Sequence, residues 1–225
     1  MFNLAIKWSR AASSPVQGVK FPKEPQAKDR ILSEEEEVKF METVRTGHKL
    51  KHLEPIIITA LRTGMRKGEI LNLKWSNVDL KDWVITVEET KTGEIRRIPM
   101  NKKLTGVFER AKKEPEGKYV FSENGKPYLD VKTGWWTALK KAKIEGFRFH
   151  DLRHTFGSRL GMDGIDITAI ADLMGHKDIS VTRRYSHPTM EYKRKAVEML
   201  DETVIKTDKA GEVDGKGKVV SIGNR

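Results

Sequence analysis

The chain has 225 residues and a formal net charge of +11, with 37% hydrophobic and 33% charged residues. It contains no cysteine, which excludes disulfides, thiolate catalysis and cysteine-based zinc sites. The length and apolar content allow one sizeable core and exclude disorder of the whole chain, and the basic balance indicates a polyanionic partner (nucleic acid or an anionic membrane surface) or else a generically basic soluble protein.

The N-terminal segment has two possible interpretations. Residues 2–12 predict a short helix with Leu4, Ile6 and Trp8 as its apolar residues, and residues 13–30 have the proline- and lysine-rich composition of a linker. This segment is either the last helix of a missing domain followed by a basic linker, or an arm that docks on the following domain. Because the N-terminus is too short and too polar for a signal peptide, and no apolar run approaches the roughly 20 residues of a membrane span, we expect a cytoplasmic protein.

Helices are expected to dominate the rest of the chain. Ser33 followed by Glu36 is a capping-box pattern, and the helix it begins is expected to end at a left-handed Gly47. Asp166 and Ser180 are the expected caps of two later segments, the second of which holds Tyr185. Helical patterns cover the ranges 33–46, 54–61, 66–73, 104–113, 130–142, 149–162, 166–174 and 191–205.

A β-hairpin interrupts these helices. Residues 83–87 are rich in β-formers, Thr92-Gly93 is a turn, and residues 95–99 form the return strand, which places Lys91 near the tip. Residues 119–121 are expected to add a third strand. The predicted fold class is therefore α+β, mainly α-helical, with a small three-stranded antiparallel sheet.

Several charged side chains are candidates for holding an anion. Arg66 stands at a predicted helix start, where a planar guanidinium suits phosphate oxygens, and Glu69 lies one turn later, placed to hold it. His150 and Arg153 are three residues apart and share a helix face, an arrangement that suits the oxygens of a phosphoryl transition state. Taken alone, Arg66 is more simply a surface arginine.

His154 and Tyr185 each allow a simpler interpretation. His150 and His154 have the spacing of a metal pair, but no third ligand is evident, so no metal site is predicted and His154 is interpreted as a core or capping residue. Tyrosine serves as a covalent nucleophile when nearby cations lower its ordinary pKa of about 10. A core tyrosine is the simpler interpretation of Tyr185 alone, as an exposed turn residue is of Lys91.

Together these residues resemble the tyrosine recombinase (phage integrase) family over roughly residues 15–205. The resemblance lies in four strings in order: Thr63-Gly64-Met65-Arg66-Lys67-Gly68-Glu69-Ile70; Lys91-Thr92-Gly93 with Arg97-Ile98-Pro99; His150-Asp151-Leu152-Arg153-His154-Thr155-Phe156; and Leu173-Met174-Gly175-His176 with Thr182-Arg183-Arg184-Tyr185. It implies the fold of the DNA breaking–rejoining enzymes and a site-specific recombinase (integrase). Such an enzyme cuts and rejoins DNA through a 3′-phosphotyrosyl intermediate, without metal or ATP.

The resemblance also implies a role for each matched residue. Tyr185 would attack the scissile phosphate while Arg66 and Arg153 hold its non-bridging oxygens. Lys91 would protonate the leaving 5′-oxygen. His150 would assist proton transfer from the tyrosine, His176 would hydrogen-bond the phosphate, and Glu69 would support the site. Further DNA contacts are expected from Lys67, Arg96, Arg183 and Arg184.

By the same resemblance, residues 1–29 would be the last helix of a missing core-binding domain with its linker. Residues 30–206 would be the catalytic domain, and 207–225 a flexible tail. The chain would be an isolated catalytic domain or a natural truncation. The helix over 191–205 would pack on a neighbouring subunit, giving a tetramer on double-stranded DNA and a monomer when free.

Two other functions remain open from sequence. A type IB topoisomerase-like enzyme would use the same chemistry to nick and reseal DNA, and a DNA-binding module would perform no catalysis.

Overall fold

The computed structural model describes residues 2–14, 18–19, 30–88, 95–113, 117–185, 190, 193–194 and 197–198. In these residues, no helix is long and apolar enough to cross a membrane. The helices are α1 (Phe2–Lys7), α2 (Glu34–Thr46), α3 (Leu53–Thr63), α4 (Lys67–Leu71), α5 (Lys102–Lys113), α6 (Lys132–Ala142), α7 (Phe149–Met162), α8 (Ile167–Met174) and α9 (Ile179–Thr182). The strands are β1 (Val78–Asp79), β2 (Val84–Glu88), β3 (Ile95–Pro99), β4 (Ser122–Glu123) and β5 (Lys126–Pro127).

The ends of α2 and α3 have different geometries. Ser33 and Glu36 form the predicted capping box at the start of α2. The prediction of a left-handed Gly47 was wrong: its φ is −75°, and its N–H still bonds to the Thr43 carbonyl. The left-handed cap is instead at Gly64, where φ is 64° and α3 ends. A Cβ at Gly64 would lie 2.4 Å from the Phe156 ring, so glycine is required there for space as well as for φ.

The core lies between α3 and the helices around it. Ile56, Ile57 and Ile58 of α3 are buried, as their consecutive apolar run predicted. Trp135 of α6 packs edge-on against Phe40 of α2, with ring centroids 5.2 Å apart. Because α3 and α2 also contact α7 and α6 respectively, the helices that carry the candidate residues rest on one packed core.

The three-stranded antiparallel sheet has the order β1-β2-β3, so the predicted fold class is confirmed. Strand β3 has the predicted bounds, and Ile85 and Ile98 are buried partners across β2 and β3. The identity of the third strand was predicted wrongly. It is β1, whereas Tyr119 makes only an isolated bridge with Lys74.

Capping hydrogen bonds define the starts of the last three helices. Helix α7 has the predicted bounds, and Asp151 accepts a 2.6 Å hydrogen bond from the Arg148 N–H at its start. Asp166 caps α8 as predicted. The cap of α9 is Asp178 and not Ser180, because Asp178 accepts from the Ser180 N–H. Helix α1 is shorter than predicted, and most of the predicted 191–205 helix, all of the 207–225 tail and most of the linker lie outside the described residues.

Candidate active site

Arg66 joins the start of one short helix to the end of another. Its backbone N–H donates to Glu69 at 2.7 Å, which fixes the first turn of α4. Its Nη1 donates to Glu69 at 2.9 Å, and its Nη2 donates to the Gly175 carbonyl, at the C-cap of α8, at 3.0 Å. The side chain is 41% exposed. The guanidinium is therefore fixed on one side and open to solvent on the other.

Glu69 also binds Arg96, which reaches it from β3. The Arg96 Nη2 donates to Glu69 at 2.6 Å, and the Arg96 side chain is only 14% exposed. Burial alone would raise the pKa of Glu69, but the hydrogen bonds and charge of Arg96, with those from Arg66, outweigh it and lower the pKa. Glu69 is thus an ionised carboxylate that holds two guanidinium groups in place.

Arg153 is the most enclosed cation of the group. Its side chain lies in the second turn of α7, the residue is 3% exposed, and its Nη1 donates to the Gly64 carbonyl at 2.6 Å. Burial, followed by repulsion from Arg66 and Arg96, lowers the pKa of Arg153 to about 10. It remains charged near neutral pH, and the repulsion between these three guanidinium groups would be relieved by an anion.

His150 and His154 occupy successive turns of α7. Their rings meet edge to face with centroids 4.7 Å apart. His150 is exposed, and partial burial of its ring, followed by His154 and Arg153, lowers its pKa. His154 is only 6% exposed. The described residues contain no group of three or more His, Asp or Glu side chains placed to hold a metal ion.

Tyr185 is buried beneath these histidines. It ends a 3-10 turn, Arg183–Tyr185, and is 4% exposed. Its hydroxyl lies 2.7 Å from Nδ1 of His154, and its ring stacks on His176 at 6.4 Å between centroids and 11° between planes. The prediction that His154 is a core or capping residue missed this hydrogen bond. The spacing that places His154 one turn from His150 was the available signal, but its partner is 31 residues away in sequence.

His176 is held by a residue that sequence reasoning also missed. Its Nδ1 lies 2.9 Å from the Thr182 hydroxyl, which is buried. Burial, followed by the charges of Arg153 and Arg66, lowers the pKa of His176 to about 4. The imidazole is therefore neutral at physiological pH, with one ring N–H to donate.

Two glycines of α7 give the Tyr185 segment its place. A Cβ at Gly157 would lie 3.0 Å from the Tyr185 ring, and one at Gly161 would lie 1.9 Å from the Tyr185 carbonyl oxygen. Only residues without a side chain allow the turn to lie this close to the helix. The local sequence of α7 thus sets both the depth and the orientation of the phenol.

The structure brings together Arg66, Glu69, Arg96, Arg153, His150, His176 and Tyr185 from the predicted set. Lys91 lies outside the described residues. Arg183 and Arg184 are exposed beside Tyr185, and Lys67 is exposed and paired with Asp130 at 3.0 Å. Next to His176, a cleft of about 540 Å³ lies between β3 and α8 and is lined by Arg96, Arg97 and Lys177.

Comparison with known proteins gives a consistent picture. The model of the phage integrase family matches residues 30–192. The shufflon-specific DNA recombinase of Escherichia coli is 31% identical over 189 residues, covering 83% of this chain and 48% of that protein. The tyrosine recombinase XerA of Pyrococcus horikoshii is 32% identical over 201 residues, covering 85% and 69%.

Solved structures have the same fold. The Tn1549 transposon integrase in complex with a circular intermediate DNA superposes with a TM-score of 0.70 at 24% identity, covering 88% of this chain and 75% of that one. The catalytic domain of bacteriophage HP1 integrase gives 0.60 at 26% identity, covering 75% and 93%. This chain spans about half the length of the shufflon recombinase. With its family model matched over most of its length, the chain belongs to the phage integrase family.

Proposed function

We propose that this chain is a site-specific DNA recombinase that cuts and rejoins double-stranded DNA through a 3′-phosphotyrosyl intermediate. One observation carries the proposal: the hydroxyl of a buried tyrosine is hydrogen-bonded beside a cluster of guanidinium groups. Tyr185 contacts His154 and His176, and it lies close enough to Arg153 for an electrostatic interaction with the guanidinium. A nucleophile beside clustered cations is the arrangement that a phosphodiester requires.

In the first step, the Tyr185 oxygen attacks the scissile phosphorus in line and displaces the 5′-oxygen of the next nucleotide. Arg66 and Arg153 bind the non-bridging oxygens, whose charge grows in the transition state. His176 donates a ring N–H to the same phosphate. Its low pKa keeps the imidazole neutral, and the Thr182 hydroxyl next to Nδ1 orients the ring. The phosphodiester energy is kept in the Tyr185–phosphorus bond, so no ATP enters.

Lys91 donates the proton that the leaving 5′-oxygen takes. A lysine suits this task, because its ammonium group, on a long side chain, can carry a proton to an oxygen that moves as the bond breaks. Glu69 acts on Arg66 by holding the guanidinium at the site. His150, edge-on to His154, assists proton transfer from the tyrosine. The 5′-hydroxyl of a second strand then attacks the phosphotyrosine and completes the exchange.

The duplex is bound by basic side chains around this site. Lys67, Arg183 and Arg184 are exposed and are the proposed phosphate contacts. Arg96 was expected to be a fourth. Its burial against Glu69 favours a positioning role over direct contact, and its exposed neighbours Arg97 and Lys177 line the adjacent cleft.

The assembly proposed from the resemblance has residues 30–206 as the catalytic domain, residues 1–29 as the end of a core-binding domain, and 207–225 as a flexible tail. Four copies would meet on DNA through residues 191–205, in the cytoplasm. The DNA in the Tn1549 integrase complex supports DNA as the partner. Sedimentation of the chain with and without DNA tests this arrangement. A monomer on a paired recombination site would contradict it.

A covalent-trapping assay tests the chemistry. The chain is incubated in EDTA with a duplex that carries its attachment site and a nick just 3′ of the scissile phosphate, so that the released fragment diffuses away. We expect a protein–DNA adduct on a denaturing gel that is lost in Tyr185→Phe while DNA affinity is kept. An adduct that survives this substitution would refute the nucleophile assignment. Control substitution of Tyr128, which stacks on His52 away from the site, should leave the adduct intact.

The alternatives give different results in the same experiment. A non-catalytic DNA-binding module would bind the duplex and form no adduct. A topoisomerase-like enzyme would form the adduct and relax supercoiled plasmid of any sequence, whereas a recombinase would join strands of two partner sites. The family match favours the recombinase.

A further inference from the structure

We propose that His154 is a further catalytic residue, which takes the proton of the Tyr185 hydroxyl in cleavage and returns it in rejoining. The inference rests on the proposed tyrosine chemistry and assigns a step in it to a residue outside the expected catalytic set. It starts from the 2.7 Å hydrogen bond between the Tyr185 hydroxyl and Nδ1 of His154.

The geometry favours His154 over His150 as the proton acceptor. A general base has to lie within hydrogen-bond reach of the proton that it abstracts. His154 meets this requirement, whereas His150 lies against the ring of His154, with centroids 4.7 Å apart. Nδ1 accepts the phenolic proton when the ring hydrogen is on Nε2, so the proposal requires that tautomer of His154.

The hydrogen bond between His154 and Tyr185 is shielded from bulk water. His154 is 6% exposed and Tyr185 is 4% exposed, so bulk water does not surround the proton being transferred. The stacked ring of His176 closes a further side of the phenol. Gly157 and Gly161 set the depth of the tyrosine, which keeps its hydroxyl at the level of the His154 ring. A hydroxyl with a fixed buried acceptor needs no solvent base at the moment of attack.

The charges around the pair support the transfer of a proton between its members. The groups facing it are His150 from the same helix, His176 across the phenol ring, and the guanidinium of Arg153. Of these groups only Arg153 is charged near neutral pH, and its positive charge favours the phenolate over the phenol. It also opposes a charged imidazole, but an entering phosphate supplies negative charge that offsets this repulsion. The proton is therefore expected to move when substrate is bound.

The bonds and protons balance in this step. The O–H bond of Tyr185 breaks and its proton forms an N–H bond with Nδ1 of His154, while the phenolic oxygen forms a bond to phosphorus. The bond from phosphorus to the 5′-oxygen breaks, and that oxygen takes a proton from Lys91. In rejoining, the reverse transfers occur, and His154 returns its proton to the tyrosine oxygen as the phosphotyrosine bond breaks.

The test is single-turnover cleavage of the nicked duplex by the parent chain, His154→Gln and His154→Phe. Glutamine keeps a hydrogen-bonding group but is not a base at neutral pH, and phenylalanine keeps the ring volume. We expect both to lose about 10²- to 10⁴-fold in cleavage rate, the usual contribution of general base catalysis, with DNA affinity and melting temperature close to those of the parent. His48→Gln, at an exposed position, is the matched control and should cleave at the parent rate.

A substrate with sulfur in place of the leaving 5′-oxygen separates a lost base from a lost acid. Sulfur leaves without a proton, so it should rescue Lys91→Ala and leave the His154 variants slow. The cleavage rate of His154→Gln should also increase with pH more steeply than that of the parent, because hydroxide replaces the missing base.

Three results would overturn the assignment: a His154→Gln rate within threefold of the parent, rescue of that variant by sulfur, or a pH profile parallel to the parent's. If His154→Phe fails to fold, the glutamine variant decides alone. A parent chain that forms no Tyr185-dependent adduct would refute the proposed function itself. A parent that does, with active His154 variants, refutes only the role of His154.

Discussion

The mostly buried carboxylate of Glu69 binds two arginine side chains. Its oxygens accept hydrogen bonds from the guanidinium groups of Arg66 and Arg96, at 2.9 Å and 2.6 Å for the closest pairs. If one member of this group is removed, the remaining side chains move, and a charge is left without its counter-charge. The position of Arg66 therefore depends on Arg96, although only 14% of the Arg96 side chain is exposed.

Glu69→Gln should lower the cleavage rate while leaving most of the DNA affinity, because the amide keeps the shape but turns an N–H group toward a guanidinium. A displacement of Arg66 by about 1 Å is expected to cost on the order of 10²-fold in rate. Single-turnover cleavage and binding titrations measure the two effects separately. Glu54→Gln, which breaks an exposed ion pair with Arg45, is the control and should cleave normally. An equal loss of affinity and rate would instead indicate that Glu69 maintains the DNA-binding surface.

His176 predicts a pH dependence of stability. Its folded pKa of about 4 is below the ordinary value of 6.5, so between these values the unfolded chain binds a proton that the folded chain does not. The His176 contribution is complete above pH 6.5 and is lost as the pH falls toward 4. The free energy of unfolding of His176→Asn, measured by denaturant titration, should therefore fall less steeply over this window than that of the parent. His48→Asn should follow the parent, and a His176→Asn slope equal to the parent's would contradict the shift.

At the scale of elements, α7 and the Tyr185 turn pack more closely than they could if side chains stood at Gly157 and Gly161. Gly161→Ala should move them apart, because the new Cβ would lie 1.9 Å from a backbone oxygen that has no freedom to rotate away. We expect a loss of about 1–3 kcal/mol in stability, typical of an overpacked contact, together with strongly reduced cleavage.

Gly68→Ala is the matched control for Gly161→Ala. Its Cβ would meet nothing within 4 Å on α4, and alanine favours a helix by up to about 1 kcal/mol over glycine. Thermal melts and the trapping assay compare the two variants. Normal cleavage by Gly161→Ala would show that the close approach is not needed for catalysis.

The elements predicted well are those specified by neighbouring residues. The bounds of α7 and β3 were predicted from their local sequence, and the capping box of α2 follows from Ser33 and Glu36, which are three residues apart. The errors have non-local causes. Strand β1 is two residues long and exists because β2 lies beside it, so no pattern of its own predicts it. Asp178 outcompeted Ser180 as a cap within one turn, which the composition alone does not decide.

The site residues likewise divide into those with a local sequence signal and those whose contacts come from distant segments. Arg66, Arg153, His176 and Tyr185 stand in strings that family resemblance recognises, and their grouping was predicted. The partner of His154 comes from a different segment, so a helical spacing that suggested a metal pair gave no indication of a hydrogen bond to tyrosine. Thr182 was missed for a related reason: a buried threonine in a short helix looks like core until its hydroxyl is seen against His176.

At the scale of the whole molecule, the net charge of +11 predicts DNA binding that weakens steeply with salt. Replacing Arg183 by glutamine should reduce the slope of log affinity against log salt by about 0.9, the contribution of one phosphate contact. Lys39→Gln, on the exposed face of α2, removes the same charge and should leave the slope unchanged. Binding titrations over a salt series provide the slopes. Equal changes in both variants would mean that only overall charge matters.

The arginine cluster has a practical consequence for handling the protein. The guanidinium groups of Arg66 and Arg96 share the carboxylate of Glu69, whereas the guanidinium of Arg153, which they repel, donates to the neutral carbonyl of Gly64. Any polyanion that reaches this cluster relieves the repulsion between its guanidinium groups. Heparin resin should therefore retain the protein through its active site as well as its surface. Nucleic-acid fragments carried over from cell extracts would act as inhibitors, lowering the apparent specific activity of every preparation from which they are not removed.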